Sequence, residues 1–232
     1  MIKSGGTMID KVTKIEDAMA HVKSGDTVMV GGFTVSGAPL TLLHYLEDMD
    51  VNNLTTISED VGFAHQTFYE NSANLLEKKK ISKIIVSFVG GAKIVNEMIQ
   101  SGELKYELVP QGTLAERIRA GGSGLGGFLT PTGVGTVAQE GKRVIEVDGK
   151  EYLLELPLHA NVALVKAWKA DHMGNAVFKY SAANFNPLMA MAADIVILEC
   201  EELVETGEIN PEHVQLPGVF VDYVVRPEEV IL

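Results

Sequence analysis

Four segments of this chain carry residue types that could handle an anion or a carbonyl group. The first is Gly31-Gly32-Phe33-Thr34-Val35-Ser36-Gly37-Ala38-Pro39. It follows the apolar run Thr27–Val30 and precedes Leu42, Leu43 and Leu46 at helical spacing, so it reads as a strand-to-helix turn. Open α/β sheets bind ligands at such turns. Backbone amides there can converge on an anion or a developing oxyanion, and Gly31 and Gly32 would let another molecule approach the backbone. A sharp turn with no ligand is the plain alternative. Gly32 and Gly37 have the outer spacing of a triphosphate-binding loop, but Ala38 stands where its lysine must be.

The second segment is Pro110-Gln111-Gly112-Thr113, where a strand ends and a helix opens. The Gln111 amide could donate to a carboxylate or thioester oxygen, or simply serve a loop hydrogen bond. The third is Ser58-Glu59-Asp60, also at a strand end. Its adjacent carboxylates are expected to face different ways, so they do not read as an acid/base pair, although one could line a crevice. The fourth is Gly122-Ser123-Gly124-Leu125-Gly126-Gly127. It satisfies G-x-G-x-x-G, but a helix precedes it and Phe128-Leu129-Thr130-Pro131 follows, which does not suit a dinucleotide site. Gly122, Gly124, Gly126 and Gly127 read either as a mobile loop near a substrate channel or as close packing.

Other chemistries find no support. The six histidines (21, 44, 65, 159, 172, 213) are scattered without ligand spacing, so no metal site is expected. There is no G-x-S-x-G elbow. The one cysteine, Cys200, lies in an apolar strand and reads as inert packing. The chain offers hydrogen-bonding loops without a convincing nucleophile–base pair, which suggests half of an active site.

The elements that would position these segments alternate. Helical spacing covers Ile15, Ala18, Met19 and Val22, with Gly25 as the stop. Strands are expected at 27–30, 54–58, 84–89 and 105–109, and a helix at 92–100. Thr113-Leu114-Ala115-Glu116 reads as a capping box that opens a helix running to about Ala120. The glycine-dense stretch 121–141 fits no regular element. Asp148-Gly149 joins 143–147 to 151–156 as a hairpin. Further strands are expected at 162–167, 176–180, 195–200 and 219–225. Asn186-Pro187 reads as N-cap and first helical residue of a short helix. The fold class is α/β: a mostly parallel sheet flanked by helices, with an antiparallel hairpin excursion.

The chain has 232 residues, 19 Lys and Arg against 31 Asp and Glu, and a net charge of −12. That balance argues against a nucleic-acid partner, which needs a basic stripe. No apolar run reaches the length of a membrane span. One cysteine excludes a disulfide framework and points to a reducing, cytoplasmic setting. Residues 9–232 are expected to form a single domain, with 1–8 as an N-terminal extension. Between Lys179 and Arg226 there is no Lys or Arg, yet eight acids lie there: Asp194, Glu199, Glu201, Glu202, Glu205, Glu208, Glu212 and Asp222. They read as a solvated acidic face, or as a docking surface for a basic partner chain.

Longer blocks carry a resemblance. Residues 26–33 with Gly37 and Pro39, then Pro110-Gln111-Gly112-Thr113-Leu114-Ala115-Glu116-Arg117-Ile118-Arg119-Ala120-Gly121-Gly122, then 126–136, 163–171 and Asn184-Phe185-Asn186-Pro187 resemble alpha (A) subunits of family I CoA-transferases. The likeness is greatest to the acetate/butyrate–acetoacetate kind and covers about residues 9–225.

The resemblance implies one subunit of a hetero-oligomer, α2β2 with a beta (B) subunit, acting on a short-chain acyl-CoA and a free carboxylic acid. It implies ping-pong transfer through a glutamate of the beta subunit, with no catalytic residue in this chain and no cofactor, coenzyme A being a substrate. It gives Gly31, Gly32, Phe33 and Gln111 to the substrate and oxyanion lining. One departure stands out: many A subunits carry Asn near Ser58, whereas this chain has Glu59-Asp60. An amide donates a hydrogen bond; an ionised carboxylate does not. The alternatives are Glu59 as a nucleophile in a free-standing acyl-CoA hydrolase, and an α/β ligand-binding module.

Overall fold

The computed structural model describes residues 9–34, 36–62, 72–89 and 93–228. The expected extension 1–8 and the expected helix start at Ala92 lie outside the described residues. Helix α1 (Ile15–Met19) leads into β1 (Thr27–Val30), α2 (Leu40–Asp48), β2 (Leu54–Ile57), α3 (Ala73–Glu77), β3 (Ile81–Val86), α4 (Lys93–Ser101), β4 (Lys105–Leu108) and α5 (Gln111–Gly122). An excursion carries β5 (Phe128–Thr130), β6 (Val144–Val147) and β7 (Lys150–Glu155). The chain returns through β8 (Ala160–Asp171), β9 (Ala176–Val177), α6 (Asn186–Met191), β10 (Ala193–Val204) and β11 (Tyr223–Val225).

The main sheet runs β11-β10-β8-β1-β2-β3-β4 with every neighbouring pair parallel, and β9 pairs antiparallel with β8. The excursion forms a separate antiparallel sheet, β5-β7-β6. Chain order reverses at β1: β2, β3 and β4 succeed it on one side, while β8, β10 and β11 fill the other. At such a switch point the loops leave in opposite directions and a crevice opens outside the carboxyl ends of the strands.

Both faces of the sheet are covered. Val28 and Val30 of β1 join Leu42, Leu43, Leu46 and Leu76 on one face; Met29 joins Leu114, Ile118 and Met189 on the other. A strand buried on both faces has no polar side, so Thr27–Val30 reads as a continuous apolar run.

Several expected boundaries move. Helix α1 stops at Met19, and Gly25 (φ +88°) serves the turn into β1 rather than capping the helix. The strand expected at 84–89 is Ile81–Val86. The last strand starts at Tyr223, because Gly218–Phe220 form a 3₁₀ turn. The capping box does not form: α5 already begins at Gln111, so Thr113 lies within it, and the buried Thr113 hydroxyl has no hydrogen-bond partner among the described residues. Glu116 instead pairs with Arg119 one turn on. The stretch 121–141 is not devoid of regular structure, since α5 reaches Gly122 and β5 follows. Helix α5 ends in a Schellman-type closure, with Leu125 N donating to Ala120 O at 2.9 Å and Gly124 at φ +69°.

Asn186 is not an N-cap either; Phe185 holds that place. The Asn186 side chain is fully buried and acts as a bolt. Its Oδ1 accepts from Lys166 N of β8 at 3.1 Å, and its Nδ2 donates to Gly37 O at 3.0 Å and Ala182 O at 2.8 Å. Gly31 is required directly above it, because a Cβ there would sit 1.9 Å from Asn186 Oδ1. Each buried backbone group left unpaired costs ~1–3 kcal/mol. Asn186→Ala is therefore expected to destabilise the fold by at least ~2 kcal/mol and to lower the melting temperature by several degrees, checked by thermal and urea unfolding.

Candidate active site

Four neighbouring strands deliver their carboxyl ends to one place. β1 ends in Gly31-Gly32-Phe33, β2 in Ser58-Glu59-Asp60, β3 in Ser87-Phe88, and β4 leads through Pro110 to Gln111 at the head of α5. Hydrogen bonds lock these ends together. Glu59 Oε1 accepts from Ser87 Oγ at 2.8 Å and from Gln111 Nε2 at 3.3 Å. The Glu59 carbonyl accepts from Ser87 N and Phe88 N at 3.0 and 3.2 Å. Asp60 Oδ2 accepts from Thr34 N at 3.1 Å, Asp60 Oδ1 from Gly62 N at 2.9 Å, and the Asp60 carbonyl from Ser58 Oγ at 2.6 Å.

Glu59 and Asp60 are 5% and 2% exposed. Both Asp60 oxygens accept backbone N–H groups. Burial first, and the neighbouring Asp60 carboxyl second, raise the Glu59 pKa above its ordinary value, against the opposing pull of Ser87 and Gln111. Burial thus works against the ionised form that a carboxylate nucleophile needs.

The glycine loop is less open than expected. The amides of Gly31, Phe33 and Thr34 go to Leu164 O, Ser36 O and Asp60, and Ser36 N returns to Phe33 O. Convergence on a ligand is left to the amides of Gly32, Gly37 and Ala38, which have no hydrogen-bond partner among the described residues. Gly32 adopts φ +104° and packs where a Cβ would meet Ala38 at 2.9 Å, so its glycine serves the turn itself. Phe33 is 37% exposed at the mouth of the crevice. Gly112 stands on the first turn of α5, where a Cβ would meet nothing within 4 Å.

The loop at 122–127 does not join this site within the chain. Helix α5 starts at the carboxyl edge and runs back along the sheet, so its end lies at the opposite edge. There a Cβ on Gly121 would meet Leu158 O at 2.0 Å, just before β8 begins, and one on Gly122 would meet Met191 at 2.7 Å, just before β10 begins. Gly127 (φ +145°) passes against Glu155 O, while Gly126 has open space around it. Within this chain Gly121, Gly122 and Gly127 are closely packed, Gly124 serves the helix closure, and Gly124 and Gly126 face open space.

Sequence reasoning missed Ser87, whose hydroxyl donates to Glu59 Oε1 at 2.8 Å. The available signal for Ser87 was its place directly after a strand, like Glu59 and Gln111. The acidic stretch is also more structured than a solvated face. Glu199 is fully buried, takes the amides of Thr41 and Leu42 at the head of α2 at 3.1 and 3.2 Å, and lies 3.6 Å from Lys166. Burial raises its pKa despite that lysine. Cys200 beside it is buried, and its thiol is pushed up to about 12, so it stays an inert thiol. Among the described residues no three His, Cys, Asp or Glu side chains are gathered to hold a metal, and no helix is long and apolar enough to cross a membrane.

This architecture has solved counterparts. An acyl-CoA transferase from Escherichia coli O157:H7, in a thioester complex with CoA, superposes with a TM-score of 0.83 at 22% identity; the match covers 96% of this chain and 48% of that one, so this chain spans about half its length. The fold is that of the CoA-transferases. The family model for coenzyme A transferase matches residues 12–227. The acetate CoA-transferase subunit alpha of Escherichia coli K12 is 45% identical, covering 96% of this chain and 99% of the relative. The acetoacetyl-CoA:acetate/butyrate CoA transferase alpha subunit of Clostridium acetobutylicum is 44% identical, covering 94% and 99%. The chain belongs to the coenzyme A transferase family.

The Glu59 shift sets a pH signature. A raised folded pKa contributes stability that is complete below the unfolded value of 4.5 and is withdrawn as pH rises through the folded value. Glu59→Gln cannot lose that proton. Its stability relative to the parent is expected to improve as pH climbs above 4.5 and through the raised folded value, measured by urea midpoints of both proteins; parallel curves would contradict the assignment.

Proposed function

We propose that this chain is the A subunit of a hetero-oligomeric CoA-transferase, which moves CoA between a short-chain acyl-CoA and a free carboxylate of the acetate, butyrate or acetoacetate class. The observation that carries the reading is the crevice itself. Three strand ends supply hydrogen-bonding groups from Gly32, Ser87 and Gln111, and the fourth supplies the buried Glu59 carboxyl, whose pKa burial raises. A site with donors for a carbonyl, and with a carboxyl group that burial disfavours ionising, suits one half of a shared active centre. The names of the alpha-subunit relatives support a second chain, and α2β2 is the assembly we favour.

In this mechanism a glutamate carboxylate of the beta subunit attacks the thioester carbonyl. The C–S bond breaks, CoA leaves as thiolate, and an acyl-glutamyl anhydride remains. The thiolate then attacks the glutamyl carbonyl, releasing the first carboxylate and leaving a glutamyl-CoA thioester. The acceptor carboxylate reverses these two steps. Splitting the exchange this way replaces one difficult transfer by easier ones, and thioester energy is conserved without metal, nucleotide or further cofactor. Hydrogen-bond donors aimed at the developing oxyanion contribute ~2.7–4 kcal/mol each in comparable sites; the Gly32 amide and the Gln111 side chain are the donors proposed here. The setting is cytoplasmic, where the single buried Cys200 stays reduced.

The test is reconstitution. The purified chain is expected to transfer no CoA from acetoacetyl-CoA or butyryl-CoA to acetate. Co-expressed with a beta-type chain it is expected to turn over. Trapping with acyl-CoA and borohydride, followed by peptide mass spectrometry, is expected to mark a glutamate of the beta chain. Full turnover by this chain alone, with the mark on Glu59, would overturn the reading in favour of a self-sufficient enzyme.

A further inference from the structure

The antiparallel excursion has one side that the chain itself leaves uncovered. Leu129 stands opposite Leu154, Ile145 opposite Tyr152, and Val147 opposite Lys150. Cross-strand partners share a side of the sheet, and so do alternate residues of β7. Leu129, Ile145, Val147, Tyr152 and Leu154 therefore form one apolar face. None of the five is buried, and none belongs to either core of the main sheet. Leu129 and Val147 are 39% and 41% exposed. The opposite side is closed within the chain. Its Leu153 is fully buried, and a Cβ on Gly133 would meet Leu153 at 3.3 Å and Ala138 at 3.0 Å. Glu155 on that side meets Lys142 and Arg117.

A sheet with a solvated side alternates apolar and polar residues. This sheet has apolar residues on both sides, so the uncovered one has the character of an interaction surface. Charge decides what fits it. Leu154 N donates to Arg143 O at 2.9 Å, which puts Arg143 opposite Leu154 at one end of the face. Lys150 stands at the other end, its Nζ 5.3 Å from the Tyr152 ring centre. Both are exposed. Stacked on a second copy, the face meets itself in one of two two-fold orientations. One sets arginine on arginine and lysine on lysine; the other sets arginine on lysine. Both bring like charges together, which disfavours that pairing. The face fits a different chain, one whose apolar side chains lie between carboxylates.

We propose that this face of the β5-β7-β6 sheet docks the beta-type chain, against a surface that sets apolar side chains between carboxylates. This rests on the proposed function, which requires such a chain. Three strands ~4.8 Å apart and six residues long at ~3.4 Å each give a face of roughly 280 Å². A stable interface takes about 800 Å² from each partner. The excursion is thus an anchor within a larger contact, and a few central apolar and aromatic anchors carry most of the energy of such contacts. Arg143 and Lys150 at its ends select the partner by charge and speed encounter with an acidic surface.

The experiment mixes the full chain with the beta-type chain. Sedimentation equilibrium gives the dissociation constant, and hydrogen–deuterium exchange gives the protection of residues 143–156. L129D and V147D alter positions that are already exposed. Each is expected to weaken assembly roughly tenfold or more, with the melting temperature of the free chain unchanged. R143E combined with K150E is expected to weaken assembly too and to reduce the salt dependence seen in the parent. E151A, on the closed side, is expected to assemble like the parent. In the parent, exchange across 143–156 is expected to slow on assembly. Parental affinity in both L129D and V147D, or assembly without slowed exchange there, would overturn the proposal while CoA transfer, and with it the functional reading, stands. A free chain that dimerises, and loses its dimer in L129D, would overturn it in favour of a second copy. Failure of the parent to associate with any beta-type chain would remove the functional reading and the proposal together.

Discussion

The crevice exists because a buried amide fastens the β1 loop to the neighbouring strand. Asn186 reaches from the head of α6 to Lys166 N of β8, to Gly37 O of the loop and to Ala182 O of its own approach. One buried and two partly buried backbone groups are satisfied by one side chain, and the same side chain explains why Gly31 has no room for a Cβ. With the loop fixed from below, Thr34 N can meet Asp60 from above. The order of the β2 carboxyl pair, and through it of Ser87 and Gln111, therefore follows from packing several residues away. Rigid support of this kind is what a site needs if its donors are to act without reorganising.

A second set of buried charges stands behind the first. Glu199 caps the head of α2 from a neighbouring strand and is met by Lys166, whose side chain is 8% exposed. Arg117 on α5 bonds Glu107 at 2.6 Å and Leu156 O at 2.9 Å, and Glu155 takes Lys142 at 2.5 Å. These pairs tie the antiparallel excursion to α5 and to the end of the main sheet. Buried pairs add little net stability over apolar packing, but breaking one leaves an uncompensated charge, which is costly. They fix how the excursion docks on the sheet rather than adding to the core.

Much of the sheet was legible in the sequence, for identifiable reasons. Thr27–Val30 has no polar residue to spare because β1 is covered on both faces, and Asp148-Gly149 supplies the two positive φ angles (+51° and +74°) that its tight turn demands. Local chemistry failed where a tertiary contact outbid it. Thr113 with Glu116 has the spacing of a capping box, yet Pro110 holds the N-cap place three residues earlier. Asn186 has the look of an N-cap, yet its amide is taken up by β8 and the β1 loop. The burial of both Glu59 and Asp60 was hidden for another reason. Neighbouring residues in a strand point to opposite faces, but these two lie beyond the strand, which ends at Ile57, and both are buried. The remoteness of Gly122–Gly127 from the crevice depends on the direction of α5, which follows from topology and not from any local motif.

The central claim is that chemistry takes place at the carboxyl edge of the parallel sheet, around Gln111, and not at the glycine-rich turn on the opposite edge. One comparison tests it most directly: kcat/KM of the assembled enzyme carrying Gln111→Ala against that carrying Gly126→Ala, where a Cβ meets nothing within 4 Å. The account predicts a fall of roughly tenfold or more for Gln111→Ala, the cost of one well-placed donor, and no loss for Gly126→Ala. Parental turnover in Gln111→Ala together with a collapse in Gly126→Ala would contradict it.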